Sequence, residues 1–262
     1  MTLVLGYLLA IAIGLSLGLI GGGGSVLAVP IMVYVLGVPA KSAIAMSMFV
    51  VGCVSLLGVI PHWQRGNVNF KTFMIFTPAA MMGTFLGAKI AGLPWVSDTF
   101  QLVAFGIVMV VTSLFMIRKS GAKPRPSSVG AMARHEPHQH HGLLPTWLLI
   151  PLEGIVVGIV TGFVGVGGGF LIIPALVLLG GIPMKEAVGT SLLIIAFKSA
   201  IGFVEYLNYV TLDWQLMLTF TLAASIGMGA GVYLSRSIDG RHLQKGFGYF
   251  VLAVAVFVLL KR

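Results

Sequence analysis

Two glycine stretches, Gly21-Gly22-Gly23-Gly24-Ser25 and Gly165-Val166-Gly167-Gly168-Gly169, are the parts of this chain best suited to hold a ligand. Each follows one apolar helical run and opens a short second run that reaches Pro30 or Pro174. A break of this kind leaves backbone N–H groups without helical partners at the positive end of a helix dipole, and together these favour an anion. Ser25, Ser47, Thr190 and Ser191 can add hydroxyl donors near the breaks. For any single Ser or Thr inside a helix the plainer role is a bond to its own backbone. Lys198 lies inside an apolar run, about six residues or roughly 9 Å of helix from its end, too deep for easy snorkelling. An ionisable group so placed marks an anion contact or a buried ion pair. Glu153 is also intramembrane, and can pair with Lys198, carry a coupling proton or simply sit near the interface.

These residues need apolar elements to position them. Of the 262 residues 58% are hydrophobic and 9% charged, against about a quarter charged in soluble domains. The apolar residues form runs near the roughly 20 needed to cross a bilayer. The runs cover Thr2–Ile20, Lys41–Ile60, Thr72–Leu93, Thr99–Ile117, Pro145–Val164, Lys185–Val204, Trp214–Ser235 and Gly246–Leu260. They are long and continuous, unlike the short alternating strands of an outer-membrane barrel. The first run lacks a basic start and a polar sequel, and so reads as the first helix rather than a cleaved signal. Trp63, Trp95, Trp147 and Trp214 stand at run ends, as interfacial anchors do. The chain is therefore expected to be an all-α polytopic membrane protein.

A shift of 144 residues superimposes Gly14–Arg118 on Gly158–Arg262 without a gap. Gly14, Gly18, Gly21, Gly23 and Gly24 fall on Gly158, Gly162, Gly165, Gly167 and Gly168, and Pro30, Gly37, Pro39 and Lys41 on Pro174, Gly181, Pro183 and Lys185. Two homologous repeats follow, over 1–118 and 145–262, with a linker at 119–144 rich in Pro, Ser, Lys and His. The tract His135, His138, His140 and His141 has no cysteine or spaced carboxylate to complete a zinc site, and reads as a solvated loop.

The charges predict that the repeats are inverted. Arg65 and Lys71 follow the second long run, whereas its equivalent is followed by Asp213 with no Lys or Arg; Arg236, Arg241 and Lys245 stand where the first repeat balances Lys89 with Asp98. Inversion requires an odd number of crossings per half, which the short pieces Val26–Gly37 and Phe170–Gly181 can supply if the glycine breaks lie within the membrane. Both termini then face outward, although Lys261 and Arg262 run against that assignment. Pairs such as Gly14/Gly18 and Gly83/Gly87 have the spacing of close helix packing, whereas runs of three or four glycines would destabilise a continuous helix. No Gly-Lys-Ser/Thr follows either stretch, so a phosphate loop fits poorly.

A glycine break followed by a short helix and proline, present twice in a chain of this length, resembles the sulfite exporter TauE/SafE family over nearly everything outside the linker. The resemblance implies a multi-pass inner-membrane permease for sulfite or small organosulfonates. The residues themselves support a secondary transporter of small anions, with no nucleotide motif or soluble domain to drive it, and a passive anion channel as the alternative. No paired carboxylates, His-Glu-x-x-His or Gly-x-Ser-x-Gly suggest an enzyme. Expected partners are a small anion, the bilayer and, in a homodimer, a second copy of the chain. Nothing calls for nucleic acid, a metal or an organic cofactor.

Overall fold

A computed structural model of the protein describes residues 2–91, 98–120, 146–164, 169–207 and 210–260. Among them every regular element is helical: α1 (Thr2–Ile20), α2 (Gly24–Tyr34), α3 (Ala40–Gln64), α4 (Phe70–Ala91), α5 (Asp98–Ser120), α6 (Thr146–Val164), α7 (Gly169–Pro174), α8 (Met184–Tyr206), α9 (Trp214–Ser237) and α10 (Gly240–Leu260). α7 runs on as a π-helical segment, Ala175–Leu179. Ser42–Gln64, Met184–Val204 and Trp214–Ser237 are long and apolar enough to cross a membrane by composition alone. Large apolar side chains such as Met82, Phe85, Leu222 and Ile226 point outward, which suits lipid rather than water. α10 begins six residues before its apolar run because the helix continues through a polar turn containing Arg241 and Lys245.

The helices of the two halves correspond under the 144-residue shift, and so does their packing. α1 packs along α9, α4 along α6, and α3 crosses α8. Glycines set these contacts. A Cβ on Gly14, Gly18, Gly227 or Gly231 would strike a backbone carbonyl across the α1–α9 contact, and one on Gly83, Gly87, Gly158 or Gly162 would do the same between α4 and α6. The expected glycine packing is therefore present, but each row faces a helix of the other half. Side-chain-free surfaces let backbones approach closely where lipid supplies no hydrophobic drive for association.

The directions follow from the same contacts. Gly14 meets Ala224 and Gly18 meets Val232, so α1 and α9 run parallel; Gly83 meets Ile155 and Gly87 meets Phe163, so α4 and α6 do too. By contrast, Gly52 lies against Ser199, Gly58 against Leu192 and Gly202 against Met48, so the equivalent helices α3 and α8 cross antiparallel. These are the directions an inverted pair of halves requires. The turn after each short helix is built identically: Val38 N–H donates to Met32 C=O (3.0 Å) and Ile182 N–H to Leu176 C=O (2.9 Å). Gly37 and Gly181 take φ of 70° and 65° there, a conformation that disfavours any side chain.

The ends of α3, α5 and α9 and the starts of α4, α8 and α10 share one face. Arg65, Lys71, Arg118, Lys185, Arg236, Arg241 and Lys245 all belong to it, and the chain enters and leaves the linker there. The opposite face holds Lys41 and Lys89 against Asp98 and Asp213. The positive-inside rule would make the first face cytoplasmic, with α1 starting and α10 ending on the outer side.

Two expectations test this arrangement. Gly14→Leu or Gly158→Leu should lose about 3 kcal/mol or more of stability, since the added volume meets backbone rather than a yielding side chain. Gly229→Ala, with nothing near its Cβ position, should leave melting in detergent unchanged or raise it. In a Cys53→Ser background, Asn67→Cys should react with an impermeant maleimide from the cytoplasm and Thr211→Cys from outside; labelling of both from one face would refute the directions described.

Candidate functional site

The first break is tightly enclosed by the opposite half. Gly21 turns the chain with φ of 81°, and its N–H donates to Leu17 C=O at 2.7 Å. A Cβ there would lie 2.9 Å from Ser191 Oγ and 3.0 Å from Val188 Cγ1, both on α8. Gly22 abuts the Gly169 carbonyl, Gly23 abuts Phe250 and Ser16, and Gly24 abuts the Ile13 carbonyl and Leu17. All four glycines are buried. The N-terminal turn of α2 has no side-chain cap, which leaves its first amides without a side-chain acceptor.

The two short helices meet at their starts. Ser25 and Gly169 are equivalent under the shift, and a Cβ on Gly169 would lie 2.7 Å from Ser25 Oγ. This contact brings the two break regions together from opposite halves. Gly165, Gly167 and Gly168 lie outside the described residues, as does the His-rich tract.

Lys198 stands on the α8 face that meets the breaks. Val188 and Ser191 touch Gly21 and Ile195 touches Gly169, and positions 188, 191, 195 and 198 form one helical stripe. Lys198 neighbours Ser199, which packs on Gly52 where α3 and α8 cross. Lys198 is half-buried. Its equivalent, Val54, is fully buried in the core.

The hydroxyls divide. Ser25 donates to Gly22 C=O, Ser47 to Ile44 C=O and Ser191 to Val188 C=O, each at 2.8 Å. All three thus take the plainer role, although Ser25 and Ser191 remain against the breaks. Thr190 departs from expectation: its Oγ1 accepts from the Asn69 N–H at 2.9 Å, holding the α3–α4 turn and not a glycine break. One residue along a helix turns the side chain by about 100°, enough to move it from the Ser191 face to that of Asn69. Ser16 was not evident from sequence; its Oγ is buried beside Gly23 without a hydrogen-bond partner among the described residues.

Glu153 does not pair with Lys198. It is buried, its Oε2 has no hydrogen-bond partner among the described residues, and that oxygen would lie 3.5 Å from a Cβ on Gly180 at the end of the π-helical segment. In the first half the equivalents are Leu9 and Leu36, and Leu36 fills its space by packing on Gly6. Gly180 removes that filler, and a carboxylate occupies the second half instead.

A cavity of about 230 Å³ opens at the basic face, lined by His62, Arg65, Asn67, Lys185, Ser235 and Arg236. Its floor includes Val188, the same side chain that touches Gly21. His62 is 3% exposed and neither ring nitrogen has a partner among the described residues. Partial burial and then the Arg236 charge push the Arg65 guanidinium below its usual pKa. Among the described residues no carboxylate lines the cavity. Of these residues the sequence singled out Lys185 as a helix-start residue, and Arg65 and Arg236 served only to orient the chain. The readable signal was their replacement by Tyr209 and Gly92 at the equivalent positions. Lys41, the equivalent of Lys185, opens α3 on the opposite face.

The sequence model of a family described as sulfite exporter TauE/SafE matches residues 6–258. A probable membrane transporter protein of Xylella fastidiosa (strain 9a5c) is 33% identical over 250 residues, covering 94% of this chain and 91% of the relative. The probable membrane transporter protein YunE of Bacillus subtilis (strain 168) is 28% identical, covering 89% and 90% respectively. No solved structure matches.

Because Glu153 and Lys198 contact different parts of the bundle, Lys198→Met and Glu153→Gln should act independently on stability. Thermal unfolding of the two single variants and the double variant should be additive within about 0.5 kcal/mol; a larger coupling energy would restore the ion pair.

Proposed function

The chain belongs to the sulfite exporter TauE/SafE family, and on that premise we propose that it is a secondary transporter exporting sulfite or small organosulfonates across the inner membrane. The contact of Ser25 with Gly169 carries the reading. It gathers two helix breaks from opposite halves beside the α8 face that ends in Lys198. Irregular backbone inside a membrane survives only where protein or water shields it, and two symmetry-related breaks are a recurrent way to form a central substrate site. The uncapped amides of α2 and the Lys198 ammonium attract an anion. Ser16 and Ser25 stand within reach of the same backbone. In alternating access, α1 with α9 and α4 with α6 are the rigid pairs, because their backbones are in direct contact, and the halves exchange exposure around the break region.

Counterflow in proteoliposomes decides between transporter and channel. Labelled sulfite should enter against unlabelled sulfite with saturable kinetics, and a panel of sulfate, thiosulfate, sulfoacetate and taurine ranks the substrates. Flux that rises linearly with concentration and shows no counterflow would establish a channel. Lys198→Met should abolish sulfite counterflow at wild-type expression, while Lys198→Arg should retain a fraction, since a planar guanidinium fits an ammonium site imperfectly. Full transport by Lys198→Met would remove Lys198 from the site.

A further inference from the structure

We infer that the cavity between α3, α8 and α9, on the basic, cytoplasmic face, is a loading site for the anion, separate from the break site and built from residues that the other half does not repeat. The inference rests on the transport reading and gives it a direction.

Three cations and a buried imidazole converge on one small space. Arg65, Lys185 and Arg236 line it with no carboxylate among the lining residues, and Arg65 and Arg236 lie close enough to repel each other. Such a cluster raises the local concentration of anions and offers guanidinium forks that grip two oxygens at once. His62 adds a ring N–H for a third oxygen, and that ring is almost fully enclosed with no protein partner among the described residues to take it. At about 230 Å³ the cavity falls below the roughly 300–1,000 Å³ of sites for drug-sized ligands. Its occupant is therefore a small oxyanion, of the size of sulfite or a short alkylsulfonate. Val188 separates the cavity from Gly21, so an anion held there is one side chain from the first break.

The inverted relation of the halves provides an internal control. The 144-residue shift converts His62, Arg65, Lys185 and Arg236 into Tyr206, Tyr209, Lys41 and Gly92. The equivalent positions keep one of three cations and no imidazole. A carrier with equal mouths would load equally from both sides. Here the cytoplasmic mouth carries the cations that hold the anion and the other half does not repeat them, an asymmetry suited to export.

The double variant Arg65→Gln, Arg236→Gln tests this in inside-out and right-side-out membrane vesicles with labelled sulfite. Wild type should show a lower KM at the cytoplasmic face than at the outer face. The variant should raise the cytoplasmic KM tenfold or more and flatten its salt dependence, while the outer KM moves less than twofold. Equal KM values at both faces of the wild type, or equal shifts at both faces of the variant, would overturn the inference. A second measurement does not depend on transport or on the double variant folding. In Cys53→Ser, Asn67→Cys protein, ethanesulfonate should slow maleimide labelling at low salt, and should do so equally with Lys198→Met added. Absent protection alongside saturable sulfite transport would sink the loading site alone. Protection without sulfite transport would keep the anion site and sink the transport reading.

Discussion

Bare backbone pressed on bare backbone, across the two halves, is the contact on which the remainder of this structure depends. Lipid solvates a leucine as well as a neighbouring helix does, so helices in a bilayer associate through packing and polar satisfaction. The glycine rows on α1, α9, α4 and α6 provide such packing, placing Cα atoms against carbonyl oxygens of the partner helix, a geometry that gains from weak Cα–H···O contacts. With α1 fixed to α9 and α4 to α6, the antiparallel crossing of α3 and α8 lies between them, and α2 and α7 are held with their starts together. The irregular backbone at Gly21–Gly24 is tolerated because this scaffold encloses it on every side that the contacts report.

That dependence explains which features were legible in the residues. The apolar runs mark the helices closely, since the requirement for about 20 apolar residues leaves composition little freedom. Matching glycines, prolines and lysines at one shift pointed to two equivalent halves, and the turns at Gly37 and Gly181 agree to the hydrogen bond. Four-residue glycine spacing announces a close approach but does not name the partner helix, and the pairing of each row with the opposite half came only from the structure. Depth along a span was readable for Glu153 and Lys198, whereas the side of the bundle each faces was not. Glu153 turns toward Gly180, at a position where the first half carries a leucine. The basic cavity was similarly hidden, because His62, Lys185 and Arg236 come from three helices far apart in sequence.

Comparison of equivalent positions separates groups the fold needs from groups it only tolerates. Among the described residues, Ser16, Ser55, His62, Thr77 and Glu153 have buried side-chain oxygen or nitrogen atoms without partners. Leaving such a group unmade costs about 1–3 kcal/mol. Ser55 and Thr77 correspond to Ser199 and Thr221, the same residue types, so whatever those hydroxyls do belongs to both halves and to the architecture. Ser16, His62 and Glu153 correspond to Val160, Tyr206 and Leu9, and Lys198 corresponds to Val54. In these four the other half carries an apolar or aromatic residue. Helix packing alone therefore does not demand the polar groups, and a cation near mid-span costs roughly 2.5–3.5 kcal/mol even on the mildest scale. Ser16 borders the first break, Lys198 shares the α8 stripe facing both short helices, and His62 lines the basic cavity. These groups lie along one line from the basic face through the break region and one turn past it, as expected where unpaired groups await a passing anion. Glu153 lies off that line beside the π-helical segment. An ionised carboxylate there would repel an anion instead of binding it, which leaves Glu153 a candidate for coupling and not for substrate contact.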